Sequence, residues 1–181
     1  MRKFIARRRL RITNRRYGYD TTYLEVMLEQ SPSAFFKFAS AAKAASHREV
    51  VPVEAFFAAK LVAAMVEDCG PCTQLVVNMA LEAKMARNQI EAVLRSDIGA
   101  MTPDVAIAFG FADAVAKRAS DAGTHRDAVR GRWSEKGVID LAMALQMSRT
   151  FSMIKLALGY ARECHRVSVA GHNIDVVRHG V

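Results

Sequence analysis

All four prolines of this 181-residue chain stand where a helix is expected to begin. The first turn of a helix tolerates proline because its backbone N–H groups have no partner within the helix, whereas a proline in the interior breaks the helix. Ser31 and Thr102 directly precede two of these prolines and are favourable N-cap residues. The four positions are Pro32, Pro52, Pro71 and Pro103. Their spacing predicts a series of helices joined by short connections.

Other signals extend this helical pattern. Thr22-x-x-Glu25 has the form of a capping box, and apolar residues recur at helical spacing after Pro52. We expect helices from 22 to about 30, 32 to 46, 52 to 69, 75 to 85, from 88, from 102 to 120, from 124, and from 134 to about 164. Strand-forming sequence is confined to 167–169 and 174–177, which can form a short hairpin. The predicted fold class is therefore all-α, with a single domain over residues 20–181.

The net charge of +8 comes from the first 19 residues, which form a basic arm. This arm has no acidic residue, and the remaining chain balances 18 basic against 18 acidic residues. Its basic residues are Arg2, Lys3, Arg7, Arg8, Arg9, Arg11, Arg15 and Arg16. Apolar residues are interleaved with them, so the arm can contact an anionic membrane or nucleic acid. Solvation, or packing against a neighbouring subunit, is the interpretation that we favour, because no nucleic-acid motif accompanies the charge.

The sequence predicts a cytoplasmic protein. Arg7, Arg8 and Arg9 interrupt the apolar segment that a secretory signal would need, and no apolar run approaches the length of a transmembrane helix. Three cysteines in a chain of this length do not form a disulfide framework. A close cysteine pair in the cytoplasm is more typical of redox catalysis or metal binding than of a structural disulfide.

Cys69-Gly70-Pro71-Cys72 is such a pair. The C-x-x-C spacing allows the two sulfur atoms to bridge when the second cysteine lies in the first turn of a helix. Unpaired N–H groups and the positive end of the helix dipole stabilise a thiolate there. A lower thiol pKa makes the cysteine nucleophilic near neutral pH, and its neighbour can resolve the adduct as a disulfide.

This tetrapeptide has three other interpretations. The two cysteines can be ordinary buried residues, or Cys164 and His165 can join them in a zinc site. The same tetrapeptide occurs in thioredoxins, but a helix rather than a strand is expected before Cys69, so the thioredoxin fold is excluded. We predict a redox pair, with no cofactor and no metal ion.

Residues 58–80, AAKLVAAMVEDCGPCTQLVVNMA, resemble the core of the alkylhydroperoxidase D-like, or carboxymuconolactone decarboxylase, superfamily. Residues 141–145 and 151–161 look like the closing helices of that fold. The resemblance implies an all-α protein that assembles into dimers, trimers or hexamers. It also implies that Cys72 attacks a hydroperoxide and that Cys69 resolves the product. The decarboxylase branch lacks the cysteine pair, so the resemblance favours the peroxidases.

The proton relay of these peroxidases is not present at the matching positions. Val76 stands where they usually have a histidine, and Phe57 stands near the place of their glutamate. A peroxidase must still move a proton from the thiol to the leaving alkoxide. Glu67 is the first candidate for this role, against the alternative of a solvated acid at a helix C-terminus. Glu54 is a weaker candidate, because it suits the first turn of its helix.

The sequence thus predicts a cysteine-dependent peroxidase or thiol–disulfide oxidoreductase with an antioxidant role. Its expected catalytic residues are Cys72, Cys69 and Glu67, and its partners are a hydroperoxide and a dithiol reductant. The alternative is a non-catalytic helical oligomer in which the cysteines are a redox-sensitive staple and the arm makes the interaction.

Overall fold

A computed structural model describes residues 2–161 and 166–177. This part of the chain contains eight α-helices, one 3-10 turn at Ile98–Ala100 and one two-stranded hairpin. The helices are α1 Arg2–Tyr17, α2 Thr22–Gln30, α3 Pro32–Ala44, α4 Val53–Val66, α5 Gly70–Glu82, α6 Arg87–Leu94, α7 Pro103–Ala116 and α8 Ala122–Ala157. The all-α class and the C-terminal hairpin predicted from the sequence are confirmed.

Helix α4 lies at the centre of the fold. Every residue from Ala55 to Met65 is buried, because α5, α6, α7 and α8 all pack around this helix. The alanines of α4 allow the surrounding helices to approach closely, while its larger side chains join the main hydrophobic core. The C-terminal end of α4 leads directly into the cysteine pair, so the most buried element of the fold positions the predicted site.

The basic arm forms a helix, which the sequence did not predict. Ala6 and Leu10 on one side of α1 pack with Leu28 of α2 and Phe35 of α3 in a second, smaller apolar cluster. At the end of α1, the Asn78 side chain of α5 donates a hydrogen bond of 3.0 Å to the Tyr17 carbonyl. The arm is thus attached to the rest of the protein along one face.

Helix α8 bends where the sequence predicts a new helix start. Trp133 and Ser134 have non-helical backbone angles, with φ of 62° at Ser134. Gly137 follows in the next turn, where a β-carbon would lie only 2.4 Å from Cβ of Trp133. A glycine at this position therefore lets the Trp133 side chain pack closely after the bend.

The hairpin closes one side of the core. Strand β1, Arg166–Val169, pairs antiparallel with β2, His172–Asp175, and Val167 faces Ile174. Both turn residues, Ala170 and Gly171, have positive φ, as a two-residue turn between twisted strands requires. Val167, Val169 and Ile174 all belong to the main core.

Several predicted helix boundaries were wrong. The last helix ends at Ala157, not near residue 164, and α5 begins at Gly70, not at residue 75. Pro52 is the N-cap of α4 and precedes its first turn. In α2 the predicted capping box is replaced by a hydrogen bond of 2.9 Å from the Thr22 amide to Asp20.

Candidate redox site

The connection between α4 and α5 is a single tight turn. Asp68 has a left-handed φ of 44°. The amide of Cys69 donates to Ala64 and that of Asp68 donates to Met65, the two bonds of a Schellman motif. Glycine is the usual residue at the left-handed position of this motif. Asp68 occupies that position instead, and Gly70 is the first residue of α5.

Cys69 has a structural role at both helices that meet here. It completes the motif that ends α4, and it is the N-cap of α5. Its carbonyl accepts hydrogen bonds from the Thr73 amide at 2.9 Å and from the Thr73 hydroxyl at 3.0 Å. The backbone of Cys69 is therefore fixed from both sides, which defines where its sulfur atom lies.

Cys72 lies in the first turn of α5, as the sequence predicts, and its sulfur atom forms a disulfide with Cys69. The two Cα atoms are 5.2 Å apart, a separation common in disulfides. Pro71 occupies the same turn and costs no hydrogen bond there. After reduction, a thiolate at Cys72 would face the unpaired N–H groups and the positive end of the dipole of a 13-residue helix.

The surroundings of the pair are apolar and closed. Cys69 is fully buried, and only 6% of Cys72 is exposed. Val76 and Phe57, at the positions of the peroxidase relay, are also buried in the main core. An apolar environment raises the pKa of a thiol, opposing the effect of the helix start. In the structure as described, only Cys72 is open to a reactant, through a small exposed area.

Glu67 forms an ion pair with Arg149 of α8. The Nε atom of Arg149 lies 2.6 Å from Oε1 of Glu67, and both side chains are largely shielded from solvent. Glu67 caps the C-terminus of α4, where the helix dipole disfavours an acid. The guanidinium of Arg149 offsets this, so the solvated alternative for Glu67 is wrong. Its predicted catalytic role stays a prediction. Arg149 lies 82 residues away in the sequence, and no local signal indicated it.

Two other polar residues, one in α4 and one in α5, have structural partners. Glu54 accepts a hydrogen bond of 3.0 Å from the Ala86 amide at the start of α6. Gln74 pairs with the backbone of Ser168, donating to its carbonyl at 2.9 Å and accepting from its amide at 2.7 Å. Glu54 thus joins α4 to α6, and Gln74 joins α5 to the hairpin.

Cys164 and His165, which the zinc interpretation requires, lie outside the described residues. Within residues 2–161 and 166–177, no group of three or more His, Cys, Asp or Glu side chains is placed to hold a metal ion. In the same part of the chain, no helix has the length and apolar character needed to span a bilayer.

The described residues include three buried charges that were not predicted from the sequence: Asp140, Lys60 and Lys155. Asp140 of α8 accepts backbone hydrogen bonds from Glu49, Val50 and Val51. Burial raises the pKa of Asp140, but these hydrogen bonds outweigh it and hold the pKa below its usual value. Burial also lowers the pKa of Lys60 in α4, to about 8. In the sequence, each of these residues is an isolated charge within an apolar run, and this is the signal by which it could have been found.

Lys60 is not part of the cysteine site. It precedes Cys69 by nine residues, which corresponds to about 13 Å along a helix axis. Its Nζ atom donates to the Ala45 carbonyl at 3.3 Å and lies 5.0 Å from the centre of the Phe56 ring. This amine therefore faces the connection between α3 and α4 and does not replace the missing relay.

Comparisons of this chain with protein-family models, with curated proteins and with solved structures found no match.

Proposed function

We propose that the protein is a cysteine-dependent thiol–disulfide oxidoreductase of the alkylhydroperoxidase D-like type, acting on hydroperoxides. One observation carries this proposal: the two sulfur atoms of Cys69 and Cys72 are within bonding distance at the start of α5. The pair can therefore pass between dithiol and disulfide without movement of a domain. We also propose a cytoplasmic location, because a reducing compartment would supply the dithiol. A homo-oligomeric state is part of the same proposal.

The proposed cycle begins with the Cys72 thiolate. Its sulfur attacks the distal oxygen of a hydroperoxide, the O–O bond breaks, and the sulfur becomes a sulfenic acid while an alkoxide leaves. Glu67 would take up the thiol proton and return it to the alkoxide, giving an alcohol. The Cys69 sulfur then attacks the Cys72 sulfur, forming the disulfide and releasing water. An external dithiol reduces this disulfide by exchange and is itself oxidised to a disulfide.

Stopped-flow kinetics with the reduced protein test this cycle. We expect wild type to consume hydroperoxide and form the disulfide, and Cys72→Ser to lose the reaction. Cys69→Ser should react once and accumulate a sulfenic acid that dimedone traps. Cys164→Ser, which leaves the pair intact, is the matched control and should behave like wild type. Equal hydroperoxide consumption in all four proteins would contradict the proposal.

A second candidate function is a non-catalytic helical oligomer with a redox-sensitive staple. The burial of both cysteines and the apolar side chains at positions 57 and 76 favour it. In that case Cys69→Ser and Cys72→Ser would lower the unfolding temperature of the oxidised protein equally, by removing the cross-link. Neither variant would change a hydroperoxide reaction, because wild type would show none.

A further inference from the structure

Helix α1 has a packed side and an exposed side. Ala6 and Leu10 pack against α2 and α3, and Thr13 and Tyr17 continue this side with partial burial. At 3.6 residues per turn, a second set of residues lies opposite them. We call this set the outer stripe, and it consists of Phe4, Arg8, Ile12 and Arg15.

The outer stripe exposes large apolar side chains. Phe4 is 67% exposed and Ile12 is 52% exposed, and neighbouring Ile5 is 45% exposed. None of the three contributes to the small cluster that attaches α1 to the protein. Three large apolar side chains on one helix face are therefore available to a partner.

The charge of α1 is also largely uncompensated. Arg7 forms an ion pair with Glu29, and Arg16 forms one with Glu82. Five other arginines of α1 have no carboxylate partner among residues 2–161 and 166–177: Arg2, Arg8, Arg9, Arg11 and Arg15. Since α1 has no acidic residue of its own, its exposed side is positively charged along its length.

The groove beside α1 is not uniformly positive, unlike the exposed side of the helix. It has a volume of about 610 Å³ and lies between α1 and α2. Phe4 of the outer stripe also lines it. Arg7 and Arg11 line it as well, but so do Glu25 and Glu29, so its charge is mixed. The surface that attracts anions is the exposed side of the helix, not the groove.

We propose that the outer stripe of α1 binds the surface of an anionic phospholipid bilayer. Phe4 and Ile12 enter the boundary between headgroups and acyl chains, while the flanking arginines bind lipid phosphate and carboxylate groups. Nucleic acid would use the same cations, but only Phe4 among the three exposed apolar side chains is aromatic and offers a surface on which bases can stack. The alternation of arginine with exposed apolar residues therefore favours a lipid surface. This inference is independent of the redox chemistry.

Vesicle co-sedimentation of the full chain tests the proposal. Wild type should bind phosphatidylcholine vesicles that contain about one third phosphatidylserine, and should not bind pure phosphatidylcholine. Arg8→Gln with Arg15→Gln should weaken binding about thirtyfold. Phe4→Ser with Ile12→Ser should weaken it at least about tenfold, because the charges alone provide only part of the attachment.

Matched controls keep the test specific. Arg95→Gln with Arg126→Gln removes two exposed charges outside α1, and Ile98→Ser with Ile139→Ser removes two exposed apolar side chains. Both should bind like wild type. Far-UV circular dichroism of each protein checks that the helices remain.

Three results would overturn the proposal. They are failure of wild type to bind the anionic vesicles, an unchanged affinity after the Phe4 and Ile12 substitutions, and equal weakening in the controls. A protein that binds duplex DNA or single-stranded RNA but no vesicle would give the first of these results and identify a nucleic-acid surface instead.

Discussion

Two buried charges of opposite sign, Asp140 and Lys60, form hydrogen bonds with the connection between α3 and α4, but Asp140 has more polar partners than Lys60. Asp140 receives hydrogen bonds from three consecutive backbone amides at 2.8 to 3.1 Å. Lys60 has one carbonyl partner, that of Ala45 at 3.3 Å, and the faces of two phenylalanine rings. The carboxylate is surrounded by donors, whereas the ammonium is mainly surrounded by apolar atoms.

The difference appears in the pKa values. Both groups lose hydration on burial, which disfavours the charged form of each. For Asp140 the amide dipoles more than compensate, and the pKa falls. For Lys60 nothing of comparable strength compensates, and burial lowers the pKa to about 8. Burial is thus offset where several dipoles point at the charge, as at Asp140, and is not offset where they are few, as at Lys60.

Asp140→Ala should have the largest effect on stability. The substitution leaves the amides of Glu49, Val50 and Val51 without their acceptor and frees the connection that leads into α4. Since each unsatisfied buried donor costs about 1–3 kcal/mol, we expect the free energy of unfolding to fall by about 4 kcal/mol. Urea denaturation at neutral pH measures this.

Asp127→Ala is the control for that measurement, because it also removes a carboxylate from α8 but one whose side chain is 74% exposed. Its effect should stay below about 1 kcal/mol. A similar loss in both variants would show that the backbone amides do not depend on Asp140.

The titration of Lys60 should give the next largest effect. Folding lowers its pKa from 10.5 to about 8, so between these values the unfolded chain binds more protons than the folded chain. The free energy of unfolding therefore rises with pH across this window. A shift of this size corresponds to about 3 kcal/mol.

The measurement is the difference between wild type and Lys60→Met from pH 7 to 10.5. This difference cancels the titration of other groups, including Tyr19 and Tyr23, whose pKa values burial raises. Parallel stability curves for the two proteins would show that folding does not lower the pKa of Lys60.

Lys60→Met should itself stabilise the protein at pH 7, by about 2 kcal/mol. Methionine has a similar length and removes the buried ammonium. The gain is smaller than that of deprotonation because the neutral amine still donates to the Ala45 carbonyl, whereas methionine leaves that acceptor without its donor. Thermal unfolding should show a higher midpoint, and Lys43→Met at an exposed position of α3 should show little change.

The starts of the helices were predictable because their causes are local. Proline is tolerated in the first turn of a helix but not in its interior. Pro32 and Pro103 accordingly occupy the first positions of α3 and α7. The ends were less predictable. Four helices are followed by a non-glycine residue with positive φ, namely Asp68, Lys84, Ser96 and Arg118. Without glycine as a signal, the boundary depends on how the next segment packs.

The cysteine site also has some features with local causes and others with distant causes. The position of Cys72 at a helix start follows from four consecutive residues, and the structure confirms it. The contact between Glu67 and Arg149 joins α4 to α8, and the burial of the pair depends on the whole core. Neither feature could be predicted from local sequence, because each is produced by elements that are distant in the chain.

The smallest effect should come from His47, a side chain of the connection that lies beside Asp140. Its Nε2 atom lies 3.5 Å from Oδ1 of Asp140, and 37% of its side chain is exposed. It contributes less to the low pKa of Asp140 than the three amides do. His47→Gln should therefore lower the free energy of unfolding by less than about 1 kcal/mol in urea denaturation. A loss close to that of Asp140→Ala would mean that a cation, and not the backbone dipoles, stabilises the buried carboxylate.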